Sequence, residues 1–251
     1  MLARHDEADL PVCSGLGGTA EFFTPLIATL GLERNHSLHL LDMEGHGLSP
    51  TSAASSISIS SYASDFYALA QQAKISGATI VAHSMGCLVA LTLALEHPEV
   101  VSKLVLLGPP PTPLPEAGRA RYNARAVTVR ASGMAAVVDA VVNAGTSTKS
   151  KSDNLIGIAA IRLSLLSQDP EGYAKGCTAL AEASKTLPVA EIKARTLIVA
   201  GDEDKVSRPQ LCQKYSSKIQ GSKVSVLPHV GHWHIFEDLK GVSGAVASFL
   251  Q

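Results

Sequence analysis

The sequence predicts an α/β protein: a mostly parallel central sheet flanked by helices, with a group of helices inserted between two strands. Three observations carry this reading. Short β-branched or Leu-rich runs alternate with longer segments whose apolar residues recur at three- and four-residue spacings, the pattern of βαβ units. The 251 residues are 46% hydrophobic and 17% charged, against a usual charged share of about 25%. That composition excludes extended disorder and fits one large core. Finally, the stretch Pro111–Arg195 shows no strand pattern at all.

Along the chain, Leu10–Cys13 is a weak strand candidate, followed by a helix over Ala20–Leu30 and a strand at Ser37–Asp42. Thr51–Ser61 is rich in Ser and Ala, with only Ile57 and Ile59 as large apolar residues, and reads as a surface loop. Then come a helix (Tyr62–Lys74), a strand (Ala78–Ala82), a helix (Met85–His97) and a strand (Lys103–Leu107). The run from Gly108 to Pro115 contains Pro109, Pro110, Pro111, Pro113 and Pro115. It can neither continue a strand nor begin a long helix before Glu116. Helical patterns at Ala131–Val142, Leu155–Leu166 and Tyr173–Ala183 suggest a cap over residues 111–195, inserted into a sheet domain made of residues 1–110 and 196–251. The sheet domain resumes with strands at Thr196–Ala200 and Lys223–Leu227 and helices at Pro209–Ile219 and Val242–Phe249.

Lys+Arg 21 against Asp+Glu 22 leaves a formal charge of -1, too balanced for nucleic-acid or anionic-membrane binding. The charge is unevenly spread: Pro111–Arg195 holds 11 Lys+Arg and 7 Asp+Glu, about +4, which leaves about -5 for the rest. Cys13, Cys87, Cys177 and Cys212 form no Cys-x-x-Cys pair, so the expectation is a reduced, cytoplasmic chain. The first ten residues lack the apolar core of a signal peptide. The most apolar stretch, Thr79–Leu95, is broken by His83, Ser84 and Gly86, short of the ~20 apolar residues of a membrane span.

The strongest local signal is Val81-Ala82-His83-Ser84-Met85-Gly86-Cys87, a Ser between small residues where a strand gives way to a helix. A Ser on such a sharp turn is exposed to substrate, and the helix N-terminus at Met85 favours developing negative charge. An activated Ser needs a base, and the base an orienting carboxylate. Gly201-Asp202-Glu203-Asp204 follows one strand, and His229-Val230-Gly231-His232-Trp233-His234 follows the next. Both lie at carboxyl ends of strands, where open α/β sheets place their sites. The order Ser, acid, His suits this arrangement. The three imidazoles also permit a metal cluster, but the triad accounts for the Ser and the Asp as well, so no metal and no cofactor are expected.

With these elements in place the chain resembles the α/β-hydrolases. The resemblance puts the acid on Asp204 in Gly-x-x-Asp, with Asp202 as alternate, and the base on His232 in Gly-His-Trp followed by Glu237, with His229 and His234 as alternates. Asp42-Met43-Glu44-Gly45-His46-Gly47-Leu48-Ser49 is similar to the family's Asp-x-x-Gly-x-Gly-x-Ser turn. Ser14-Gly15-Leu16-Gly17-Gly18 resembles its His-Gly-x-Gly-Gly loop, which implies oxyanion donors at the N–H groups of Leu16 and Met85. Two departures stand out. Ser14 replaces the His, and 13 residues precede the loop, which implies a shortened N-terminus: either a truncated gene model or a sheet without its first antiparallel strands.

Gln168-Asp169-Pro170-Glu171-Gly172-Tyr173 through Leu180 is similar to a segment of the 3-oxoadipate enol-lactonase group, which implies a small ester or lactone as substrate. Asp169 and Pro170 also read as the N-cap and first turn of a helix. Arg121 and Arg125 share a helix face at i, i+4 spacing and are candidates to bind a substrate carboxylate, against the alternative of a solvated face. The expected activity is a cofactor-independent serine hydrolase. Thioester or carbon–carbon bond cleavage and a slow-turnover receptor of the same fold stand as alternatives.

Overall fold

The computed structural model describes residues 8–251. Its strands are β1 (Ala8–Cys13), β2 (His36–Leu41), β3 (Ala78–His83), β4 (Val101–Leu107), β5 (Arg195–Gly201) and β6 (Lys223–Leu227). They form one six-stranded sheet in the order β2-β1-β3-β4-β5-β6, and every ladder is parallel. Parallel strands covered on both faces should read as continuous apolar runs. β3 is buried along its whole length, and β4 and β5 nearly so. The edge strands β2 and β6 are half-exposed. The weak candidate at Leu10–Cys13 is the interior strand β1, and Pro11 is the reason its pattern is faint. Proline has no N–H to give, and pairing with β3 begins only at Val12.

The helices that cover the sheet follow their local chemistry. The expected helix over Ala20–Leu30 is two pieces, a 3-10 turn (Ala20–Phe23) and α1 (Thr24–Leu30), with Pro25 in the first turn of α1. Its ring suits a helix start, not a helix interior. α2 (Ile59–Ala73) begins earlier than expected because Ser58 and Ser61 form a reciprocal capping box, which ends the Ser-rich loop at Ser58. α3 (Met85–Glu96) is buried around nearly its whole circumference, packed on β3 and β4 and covered by α2.

Five helices lie between β4 and β5: α4 (Glu116–Ser132), α5 (Ala135–Gly145), α6 (Thr148–Asp153), α7 (Leu155–Leu166) and α8 (Pro170–Glu182). The single helix expected over Ala131–Val142 is instead the end of α4 and most of α5, divided at Gly133, whose φ of 72° ends the first helix. α8 starts as its sequence suggests: Asp169 accepts a hydrogen bond from the Gly172 N–H at 2.6 Å, and Pro170 occupies the first turn. α9 (Pro209–Ser216), α10 (His234–Glu237) and α11 (Leu239–Leu250) complete the chain, with α11 packed against α1. Among the described residues no helix is long and apolar enough to cross a membrane.

From β1 the chain moves outward to β2, then returns across β1 to β3 and proceeds the other way. The loops leaving β1 and β3 therefore diverge. Such a switch point opens a crevice at the carboxyl ends of the strands, and here it lies between Cys13 and Ser84.

Candidate active site

Ser84 sits in that crevice with φ 50° and ψ -120°, a conformation that costs a non-glycine residue on the order of 1–3 kcal/mol and collects at functional sites. The surroundings hold it there. Its N–H donates to the Leu107 carbonyl of β4 at 2.9 Å, and its carbonyl accepts from the Cys87 N–H at 2.9 Å. Gly86 is required by close approach, since a Cβ there would run into the carbonyl oxygens of Cys13 and Ser14. Ala82, two residues before Ser84, is fully buried.

The Ser84 hydroxyl lies 2.7 Å from His232 Nε2, and His232 Nδ1 lies 2.8 Å from Asp204 Oδ2. A carboxylate accepts only, so Nδ1 carries the proton and Nε2 is left to accept from Ser84. The other carboxylate oxygen, Oδ1, accepts from the N–H groups of Val206 (2.7 Å) and Ser207 (2.8 Å). Burial would raise the Asp204 carboxyl. The His232 ring beside it, aided by His234 and the Ser207 N–H, holds it well below the usual carboxylate range. Asp204 is 2% exposed and stays charged there.

The alternates are placed differently. Asp202 accepts from the Val230 N–H at 3.3 Å, tying one loop to the next. His229 is exposed, 4.0 Å from Glu203. His234 is fully buried with both ring nitrogens unpartnered and Nε2 3.8 Å from Asp204. Burial lowers its pKa to about 4. The three imidazoles therefore do not converge on a common point.

The loop carrying His232 is held from several sides. Glu237 accepts from the N–H groups of Ser147 (2.7 Å), Gly231 (3.1 Å) and Trp233 (3.0 Å). The His232 N–H donates to Gly145 of α5 at 2.6 Å. His83 Nε2 donates to the His232 carbonyl at 2.8 Å, and Phe22 stacks on its ring at 4.5 Å. The sequence placed Glu237 in a motif but gave it no role, and it singled out neither His83 nor Gly145 for this loop.

The Ser14–Gly18 loop passes directly over Ser84: a Cβ on Gly15 would lie 2.7 Å from Ser84 Cβ. Leu16 lines a cavity of about 110 Å³ together with Ser84 and His232. Met85 begins α3, so its N–H has no partner within the helix. A larger cavity, about 440 Å³ between β2 and α2, contains none of the candidate residues.

Arg121 and Arg125 line the Ser84 cavity, and the sequence missed their neighbours Tyr122, Tyr173, Lys205 and Trp233. Both guanidiniums lie over the Tyr122 ring, at 5.6 and 5.1 Å. Arg125 is half-buried and donates to the Tyr173 hydroxyl at 3.4 Å, whereas Arg121 and Lys205 are exposed. Among the described residues no carboxylate forms an ion pair with any of the three. All four cysteines are buried. Burial pushes the thiols of Cys13, Cys177 and Cys212 up to about 12 and that of Cys87 well above its ordinary value, so none competes with Ser84 as a nucleophile at neutral pH.

Residues 11–155, more than half of the chain, match the family model of the alpha/beta hydrolase fold. RutD of Escherichia coli O157:H7 (strain EC4115 / EHEC), named for a proposed carbamate hydrolase activity, is 36% identical over 101 residues, 39% of this chain and 37% of its own length. The chain thus spans well under half of that relative. Among solved structures, the enol-lactonase from Burkholderia xenovorans LB400 superposes with a TM-score of 0.88 at 25% identity, over 99% of this chain and 93% of that one. A thermophilic esterase from Thermogutta terrifontis gives a TM-score of 0.90 at 20% identity, over 97% and 89%, and speaks for the fold alone. The chain belongs to the alpha/beta hydrolase fold family and resembles its enol-lactonase-like members.

Proposed function

We propose that the protein is a cofactor-independent serine hydrolase cleaving a small ester or lactone, with Ser84 as nucleophile, His232 as general base and acid, and Asp204 orienting the imidazole. The observation that carries this reading is the unbroken hydrogen-bond chain Ser84–His232–Asp204, with Ser84 and His232 lining one cavity. Ser84 Oγ attacks the acyl carbon as its proton passes to His232 Nε2, and the N–H groups of Leu16 and Met85 receive the oxyanion. Collapse expels the alkoxide, protonated by His232, and leaves an acyl-serine. Water, deprotonated by His232, then releases the acid. In a lactone both products are one molecule, a hydroxy acid.

The helices of residues 111–195 act as a cap. They supply one wall of the cavity, which at about 110 Å³ suits a short acyl group. Within that wall Arg121 and Arg125 bind a substrate carboxylate: both line the cavity that holds Ser84, among the described residues neither pairs with a carboxylate, and Arg suits bidentate contact. Scattered, buried cysteines accord with a reducing, cytoplasmic setting.

A panel of short p-nitrophenyl esters, γ- and δ-lactones and an aryl carbamate tests the reading. Many turnovers of an ester or lactone per protein molecule are expected. Release of about one equivalent of product and then a stall would instead identify a receptor, and turnover of the carbamate alone would move the substrate class.

A further inference from the structure

The loop that carries Leu16 has little of its own to hold it. It contains Gly15, Gly17 and Gly18, Gly17 takes a φ of 80°, and the Ser14 hydroxyl is buried without a partner. The missing restraint comes from the helical insertion. Ser164 of α7 donates from Oγ to the Gly17 carbonyl at 2.9 Å. A helical Ser or Thr usually turns its hydroxyl back to the carbonyl four residues earlier. Ser64, Thr128 and Thr178 of this chain do so, to Ser60, Ala124 and Ala174. Ser164 reaches out to the loop instead, while Leu165 and Tyr173 close against the Gly17 backbone.

Resting on the proposed function, we infer that Ser164 is a positioning residue for the oxyanion hole, acting through two planar peptides. The Gly17 carbonyl that accepts from Ser164 shares its peptide plane with the Gly18 N–H, and that N–H donates to the Gly15 carbonyl at 3.0 Å. The Gly15 carbonyl in turn shares its plane with the Leu16 N–H. Peptide planes resist twisting and serial hydrogen bonds polarise one another, so the hydroxyl on α7 sets the direction and donor strength of the Leu16 N–H. α7 is itself fixed at its other end, where Asn154 Nδ2 donates to the Phe236 carbonyl at 2.8 Å, four residues past His232. One helix thus braces the oxyanion donor against the loop of the base.

The test pairs turnover with a mimic of the tetrahedral state. 1,1,1-Trifluoroacetone adds the Ser84 oxygen to its carbonyl carbon, the Ser84 proton passes to His232, and the ketone oxygen becomes an anion in the oxyanion hole. In Ser164→Ala, kcat/KM for p-nitrophenyl acetate should fall about tenfold, short of the roughly 10²–10³ lost when an oxyanion donor is removed outright. The ketone's inhibition constant should rise by a similar factor while the melting temperature holds, since Ala favours a helix. Ser164→Thr should restore both, and Ser167→Ala, on the exposed side of the same helix end, should change neither. If alanine unfolds the protein, Ser164→Cys, a weaker donor, should give the same paired losses at smaller size. Unchanged constants in Ser164→Ala, or a turnover loss without a matching loss of ketone affinity, would overturn the inference while leaving the hydrolase standing. A parent that neither turns over the ester nor binds the ketone would overturn the proposed function, and this inference with it.

Discussion

The carboxyl edge of the sheet and the helical insertion face each other across one small cavity, yet they contribute to it by different physical means. At the sheet edge, positions are set by backbone: Ser84 by a strained turn locked between β3, β4 and the Cys13–Ser14 carbonyls, Asp204 by two N–H groups, and the His232 loop by Glu237 and Gly145. In the insertion, positions are set by side chains on amphipathic helices. Arg121 and Arg125 lie over Tyr122, Arg125 reaches Tyr173, and Ser164 touches Gly17. The first arrangement is held mostly by main-chain groups, the second by side chains on helices.

The contrast is sharpest at Ser84. Ser84→Ala removes one small hydroxyl and should abolish esterase activity with little change in melting temperature; retained p-nitrophenyl acetate hydrolysis would move the nucleophile elsewhere. Next in size are the partners. Asp204→Asn and His232→Ala should each cost on the order of 10⁴ in kcat, against little for Asp202→Asn or His229→Ala, whose side chains are exposed. His234→Ala should lower stability more than chemistry, because its ring is fully buried and hydrogen-bonded to nothing. A reversed ranking in steady-state assays of the purified, folded variants would reassign the acid or the base.

Buried histidines at the sheet edge give a pH signature that the insertion's arginines cannot. Burial lowers the pKa of His234 to about 4 and that of His83 well below its ordinary value. The unfolded chain therefore binds protons that the folded chain does not. Stability should be full above about pH 6.5 and fall as the pH drops toward 4, with His234 accounting for about 3 kcal/mol of the loss. The low Asp204 carboxyl acts only below that window. Urea titrations across pH 4–7 should show the slope, and His234→Gln should flatten it. A parent whose stability is flat from pH 7 to 4 would contradict the buried, neutral histidines.

Smaller effects belong to the insertion. Arg125→Gln should lower kcat/KM for a carboxylate-bearing lactone by about tenfold to a hundredfold and spare a neutral one. Arg121→Gln, exposed, should cost only a few-fold, shrinking with added salt. Equal losses on charged and neutral lactones would leave both arginines as packing or surface residues.

The same division governs what the sequence revealed. Ser84, Asp204 and His232 each lie in a short motif that follows a strand, and the resemblance to the α/β-hydrolases then chose Asp204 over Asp202 and His232 over His229 and His234. Five of the six strands stood out as β-branched or Leu-rich runs, and β1 was faint because of Pro11. Tyr122, Tyr173 and Ser164 carry no comparable signal. Their roles depend on how α4, α7 and α8 pack over the loop after β1, a long-range arrangement that helical periodicity leaves open. The split at Gly133 escaped notice because Ala and Val continue the helical pattern on both sides of it.

The central claim is that Ser84 forms a covalent acyl intermediate. Mixing the protein with p-nitrophenyl acetate, quenching in acid within the first turnover and digesting for mass spectrometry reads it directly. The account predicts one acetyl group on the peptide containing Ser84, absent in Ser84→Ala. Acetyl transfer to another residue, or rapid hydrolysis with no acyl-protein at any time point, would contradict it.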